Sequence, residues 1–398
     1  MSLLTIDDPV PSQPRGSLGA HPFLALGFRP FYLLGAAFAG VAVPAWIASY
    51  LGWQGMPRLD LLWHMHEMLF GFVIAIVIGF LYTAGRNWTG LWTPRGLPLA
   101  ALAALWLAGR VAMAALPPLP AASIDVIFLP LAAWPLYRVI RRSGNTRNLI
   151  MVVLLAVLAA ANAAYHASVL GLLPLSPMQP LYAAIVAVVV IESVLGGRVI
   201  PNFTANAVRG VRTLSDPRLE KLSLVLTALS GLAWAALPLS LPLAVLALAA
   251  AAVQALRMAL WKPMCTLRQP LLWILHLSYA WIPLGFVLLA LACFALVPQS
   301  AAVHALTVGA MGGLIIGMIT RTALGHTGRM LRAGPLETAM YVLLHGGVLA
   351  RLGAAFADGS LRSAALVMAA LCWSLSFVLY CLVYGPYLFK SRVDGREG

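Results

Sequence analysis

The chain has 398 residues, 62% hydrophobic and only 10% charged, with a mean hydropathy of +0.91. A soluble domain carries about 25% charged residues, so this composition excludes an ordinary soluble globule and points to a polytopic membrane protein. The formal net charge of +14 falls in alternate loops, which argues for membrane topology and against nucleic acid as a partner.

Residues 1–20 are polar, lack the apolar core of a signal peptide and read as a short cytoplasmic tail. Residues 21–390 read as a single all-α transmembrane domain, with 391–398 as a second cytoplasmic tail. A spanning helix needs roughly 20 mostly apolar residues. About twelve such segments begin near Gly27, Leu61, Leu97, Ser123, Asn148, Pro180, Leu219, Leu241, Pro270, Ala301, Thr338 and Arg362. Pro117-Pro118, Ser143-Gly144-Asn145, Pro174 to Pro180, Pro238 to Pro242 and Pro298 punctuate the joints. The seventh and eighth segments, rich in Leu and Ala, are expected to lack ionisable groups and to face lipid. Cys265, Cys293, Cys372 and Cys381 form no CxxC pair and read as small apolar fillers.

The basic residues orient the chain. Arg86 and Arg95 follow segment two, and Arg138, Arg141, Arg142 and Arg147 follow four. Arg209, Arg212, Arg218 and Lys221 follow six, Arg257, Lys262 and Arg268 follow eight, and Arg321, Arg329 and Arg332 follow ten. The odd loops are nearly uncharged apart from Arg58, Asp60 and Asp358, so both termini are expected in the cytoplasm.

Trp63-His64-Met65-His66-Glu67 opens segment two. Two histidines and a carboxylate are costly near lipid unless partnered, and neutral imidazole is a common metal ligand. The reading is therefore a metal or haem centre between helices. On a regular helix His64 and His66 stand about 200° apart, so they are not expected to share one ion. His64 and Glu67, three apart, share a face; Glu67 is a candidate for proton delivery. His304 opens segment ten, which carries Gly309, Gly312, Gly313 and Gly317, and its depth matches that of the His64/His66 layer. His276, three residues before Tyr279, is a further candidate ligand. Glu192, near the middle of segment six, is a candidate in proton transfer or a partner for Arg198 in Gly196-Gly197-Arg198. Gly325-His326-Thr327-Gly328-Arg329, with Arg321 before it, is a candidate anion cradle, for example for haem propionates. His166 and His345 read as structural, and His21 is assigned no role.

A parallel internal repeat is also suggested. Sliding the sequence along itself until His66 falls on His304 also lays Gly71 on Gly309, Gly79 on Gly317 and Thr89-Gly90 on Thr327-Gly328. One step further lays Arg29 on Arg268 and Pro44 on Pro283. Segments one and two would repeat as nine and ten, with His66 and His304 as mates that could ligate one haem.

Five blocks together resemble the NnrS family: Phe28-Arg29-Pro30-Phe31, Trp63-His64-Met65-His66-Glu67-Met68, Gly197-Arg198-Val199-Ile200-Pro201, His304-Ala305-Leu306-Thr307-Val308-Gly309 and Gly325-His326-Thr327-Gly328-Arg329. The resemblance runs from about residue 21 to about 390. It implies a multi-pass protein of the bacterial inner membrane containing haem (a b-type haem is expected) and copper, tied to nitric oxide metabolism, denitrification and nitrosative stress. The expected function is reduction of nitric oxide to nitrous oxide at a His-ligated haem, with an unidentified electron donor and with Met65 and Met68 near enough to serve copper. The alternatives are a protein that binds nitric oxide or handles haem or copper without turnover, and a transporter.

Overall fold

The computed structural model describes residues 21–55 and 58–397; the expected tail 1–20 lies outside the described residues. Those residues form twelve long helices and no strand: α1 Phe28–Tyr50, α2 Leu61–Thr89, α3 Leu97–Ala115, α4 Pro118–Arg142, α5 Leu149–Val169, α6 Met178–Ala207, α7 Pro217–Ala236, α8 Leu241–Ala259, α9 Pro270–Cys293, α10 Gln299–His326, α11 Pro335–Gly353 and α12 Gly359–Leu388. Eleven of the helical segments are long and apolar enough to cross a membrane.

Local chemistry sets the helix ends. Asp60 caps α2 by accepting from the Trp63 amide at 2.7 Å, which fixes where the histidine-bearing turn begins. The same helix stops at Gly90, whose φ of 71° a side chain would resist. Proline opens α3, α4, α7, α8, α9 and α11, where its missing N–H costs nothing.

Along their apolar stretches, 78% of α2 and 72% of α10 are buried, against 33% of α7 and 39% of α8. The first pair lies in the core and the second pair at the periphery of the bundle. α1 packs on α2 and α12, α9 on α10 and α8, and α3 to α6 follow one another around the α2 side.

The repeat extends further than the matched residues. α3 and α11 are equally long, and their starts at Leu97 and Pro335 keep the register that lays His66 on His304. α2 and α10 both widen into π-helical turns, over Glu67–Val73 and Ala305–Gly312, again in that register. Such turns concentrate at functional sites because they offset the side chains that follow. Pro44 lies inside α1 and Pro283 inside α9.

One expectation about the outer helices needs correction. Arg257 lies inside α8 rather than in the loop after it, and Glu220 lies in the first turn of α7. Arg257 is buried and pairs with Glu220, and its Nη1 also donates to Ser193 and Tyr279 at 2.7 Å each. These helices therefore carry an ion pair on the face turned from lipid, because a charge there is tolerated only with partners.

Candidate functional site

A cavity of about 380 Å³ opens between α1, α2, α6, α10, α11 and α12. On the orientation expected from the basic loops it would lie toward the outer face, and it is called the outer cavity below. His64 and His304 both line it, with Met65, Met68 and Met311 among the walls and Arg351 and Arg362 near the outer ends of α11 and α12. The His64 ring stacks on Trp46 with centroids 5.2 Å apart, and its Nδ1 is buried without a hydrogen-bond partner. His304 Nδ1–H donates to the Ser300 carbonyl at 2.7 Å, which leaves Nε2 as the nitrogen with a free lone pair. An imidazole held in this way is prepared as a ligand. It is His64, not His66, that shares a chamber with His304, so the symmetry-mate pairing drawn from the repeat is not the one that forms.

His66 points the other way and is sealed in a polar cluster. Its Nδ1–H donates to Glu67 Oε1 at 2.9 Å. Its Nε2 lies 2.9 Å from Asn162 Oδ1 and 3.3 Å from Asp125 Oδ2. His166 Nε2 lies 3.0 Å from the same Asp125 oxygen, to which Asn162 also donates at 2.8 Å. Arg110 on α3 donates to Glu67 at 2.6 Å and pairs with Asp125. All six side chains are buried. Glu67 is thus held by His66 and Arg110 instead of by His64: the guanidinium of α3 is the strongest partner within reach, and burial makes pairing obligatory.

The remaining candidates are scattered. Glu192 lines a smaller apolar cavity of about 90 Å³ between α1, α2, α6, α9 and α10, and its Oε2 is buried without a partner. Val73 borders both this cavity and the large one. Arg198 does not pair with Glu192; it donates to Asn148 at 2.8 Å. His276 Nε2 meets Thr204 at 2.9 Å and its Nδ1 has no hydrogen-bond partner, and His276 belongs to no cluster of three metal-ligating side chains among the described residues. His345 accepts from Trp281 Nε1 at 3.2 Å, a structural contact.

Arg321, His326 and Arg329 sit at the far end of α10 from His304, roughly 30 Å along the axis at 1.5 Å per residue. Arg321 lies over Phe203 and Arg329 over Tyr387. The loop is clasped by the C-terminal segment: Arg392 donates to the His326 carbonyl at 3.0 Å and pairs with Asp394. That pairing lowers the Asp394 carboxyl to about 2. The C-terminal segment thus lies against the loop expected to form an anion cradle, with Asp394 beside Gly328.

Arg110, Asp125 and Asn162 belong to no motif in the sequence, although a charge inside each of two apolar segments is a signal. His166 reads as structural there for want of neighbours, which only the packing of α5 against α4 and α2 supplies. Arg351 and Arg362 carried a signal too, since they break the low charge expected of an outer loop.

Among the described residues, twelve helices enclosing a histidine-lined cavity and a buried cluster of charged and histidine side chains define a multi-pass helical membrane protein built around polar sites in its core. No curated protein matches the sequence. The chain belongs to the NnrS family: the family model described as NnrS protein matches residues 22–392, nearly the whole chain. This family is linked to the nitric oxide response and is associated in general with metal and haem.

Proposed function

We propose that the protein sits in the bacterial inner membrane and reduces nitric oxide to nitrous oxide at a haem held in the outer cavity. The observation that carries this reading is the convergence of His64, His304, Arg351 and Arg362 on one cavity of about 380 Å³. Its size falls within the range of cofactor pockets, roughly 300–1,000 Å³, and its mostly apolar lining with a few placed polar groups is what such a pocket requires. The residues fit the group: an imidazole with its Nδ1–H anchored on Ser300, an unpartnered imidazole nitrogen on His64, and two guanidinium groups suited to propionates. His304 would hold the haem iron, while the His64 imidazole and the Met65 and Met68 thioethers would hold copper. When bound, the haem supplies an iron that takes nitric oxide and passes electrons.

The balance is two nitric oxide molecules, two electrons and two protons to one nitrous oxide and one water. Electrons come from a reduced carrier docking at the outer face, nearest the cavity. The chain's own contribution is to seal the reaction from lipid with Trp46, Phe72 and Trp373, to position the ligand with Ser300, and to hold a proton on Glu192. Glu192, with one oxygen buried and unpartnered, lines a cavity that shares Val73 with the outer one.

The test is spectroscopy and gas analysis on purified full-length protein under anaerobic conditions. A Soret band that shifts with nitric oxide, together with nitrous oxide released under reductant, is the expected result. A shift without product would replace catalysis by storage or sensing, and a protein without a Soret band would overturn the haem reading.

A further inference from the structure

We infer that His66, Asp125 and His166, with the Asn162 side-chain oxygen, form a second metal site that takes a borderline divalent transition ion such as Fe(II) or Zn(II). It is separate from the outer cavity and does not depend on a haem there. The donor atoms come from three helices, α2, α4 and α5, and converge: Asp125 Oδ2 lies 3.3 Å from His66 Nε2 and 3.0 Å from His166 Nε2. Ligand atoms held about 2.0–2.2 Å from one ion stand roughly 3–3.5 Å apart, so small side-chain shifts from these separations would admit an ion. The three donor atoms all lie within 4.8 Å of one another. Asn162 Oδ1, 2.9 Å from His66 Nε2, offers a fourth oxygen.

The surroundings have the form of a metal site's supporting layer. Glu67 accepts from His66 Nδ1–H, the carboxylate–histidine arrangement that turns the other ring nitrogen toward a metal and raises its basicity. Arg110 holds Glu67 and the outer oxygen of Asp125, which leaves Asp125 Oδ2 aimed at the two imidazoles. Two buried carboxylates face a single guanidinium, so the cluster has a place for more positive charge. Two imidazoles, a carboxylate and an amide oxygen, with no thiolate or thioether among them, favour such an ion over soft Cu(I). The neighbouring chamber, by contrast, is rich in methionine.

Cobalt(II) reports such a site directly through its visible d–d bands. Full-length protein purified in detergent and treated with a chelator should bind one Co(II) per chain and keep it in the His64→Ala/His304→Ala double variant. His166→Gln should weaken binding by at least a hundredfold. X-ray absorption at the cobalt edge of the unmutated protein should give imidazole and oxygen scattering and no sulfur, a readout that does not depend on any variant folding. Sulfur scattering, or loss of cobalt only in the double variant, would place the ion in the outer cavity and overturn the assignment. Folded protein that binds no cobalt would overturn it in favour of a closed ion network with a protonated His66.

Discussion

His64 and His66, neighbours but one on α2, face different surroundings: His64 lines the outer cavity that His304 also lines, and His66 is closed in with Asp125, Asn162 and His166. One helical turn therefore feeds two polar sites, and a widened stretch of backbone follows it directly at Glu67. Substitutions at the two positions should have separable consequences.

His304→Ala should reduce bound haem in purified protein to less than a tenth while leaving the circular dichroism of the helices unchanged. His66→Ala should leave the Soret band in place. Haem extraction and optical spectra check both, and full haem content in the His304 variant would rule out His304 as the residue that holds the haem.

Arg351→Ala and Arg362→Ala should each weaken haem retention about tenfold or more. A hydrogen bond to a charged group contributes roughly 1.5–3 kcal/mol, and about 1.4 kcal/mol is a factor of ten. The rate of haem transfer to a scavenging protein measures this. Retention unchanged in the double variant would mean that the two guanidinium groups serve another anion.

Glu192→Gln removes the carboxylate that lines the smaller cavity. Positioned proton transfer is commonly worth about 10²- to 10⁴-fold in rate. Nitrous oxide formation should fall by about 100-fold or more while the optical response to nitric oxide persists. Normal turnover would show that protons arrive by another path.

Arg110→Ala leaves Glu67 and Asp125 buried without their shared guanidinium. Breaking a buried pair from one side costs about 3–5 kcal/mol. Thermal unfolding in detergent should show a clear loss, and combining Arg110→Ala with Glu67→Gln and Asp125→Asn should recover part of it. A melting temperature equal to that of the unmutated protein would mean that the cluster is not held by this arginine.

Gly309 of α10 lies against Trp281, whose Cγ would stand 2.5 Å from an added Cβ. Gly309→Ala should therefore push α9 away from α10 and cost about 1–3 kcal/mol, the usual penalty of overpacking. Because α10 carries His304 at its outer end, haem retention should weaken with stability. An alanine variant with unchanged melting behaviour would show that the tryptophan can move aside.

The sequence by itself determined the helical segments and their order, eleven of them long and apolar enough to cross a membrane, because apolar length acts locally and needs no partner; the placement of Lys and Arg sets only the expected orientation. All twelve expected segments are helices, and the register that lays His66 on His304 already marked α2 and α10 as counterparts. It also determined that His64 and His66 would part, since helical geometry alone separates them. Only the tertiary structure decided the partners. Asp125, Asn162 and His166 become one site with His66 through the packing of α2, α4 and α5, and Arg110 arrives from α3. His64 shares a chamber with His304 because those two imidazoles line the same gap between helices that lie far apart in the chain. Spacing along one helix reports the face a side chain occupies, but what that face meets depends on interhelical packing, which no local pattern encodes.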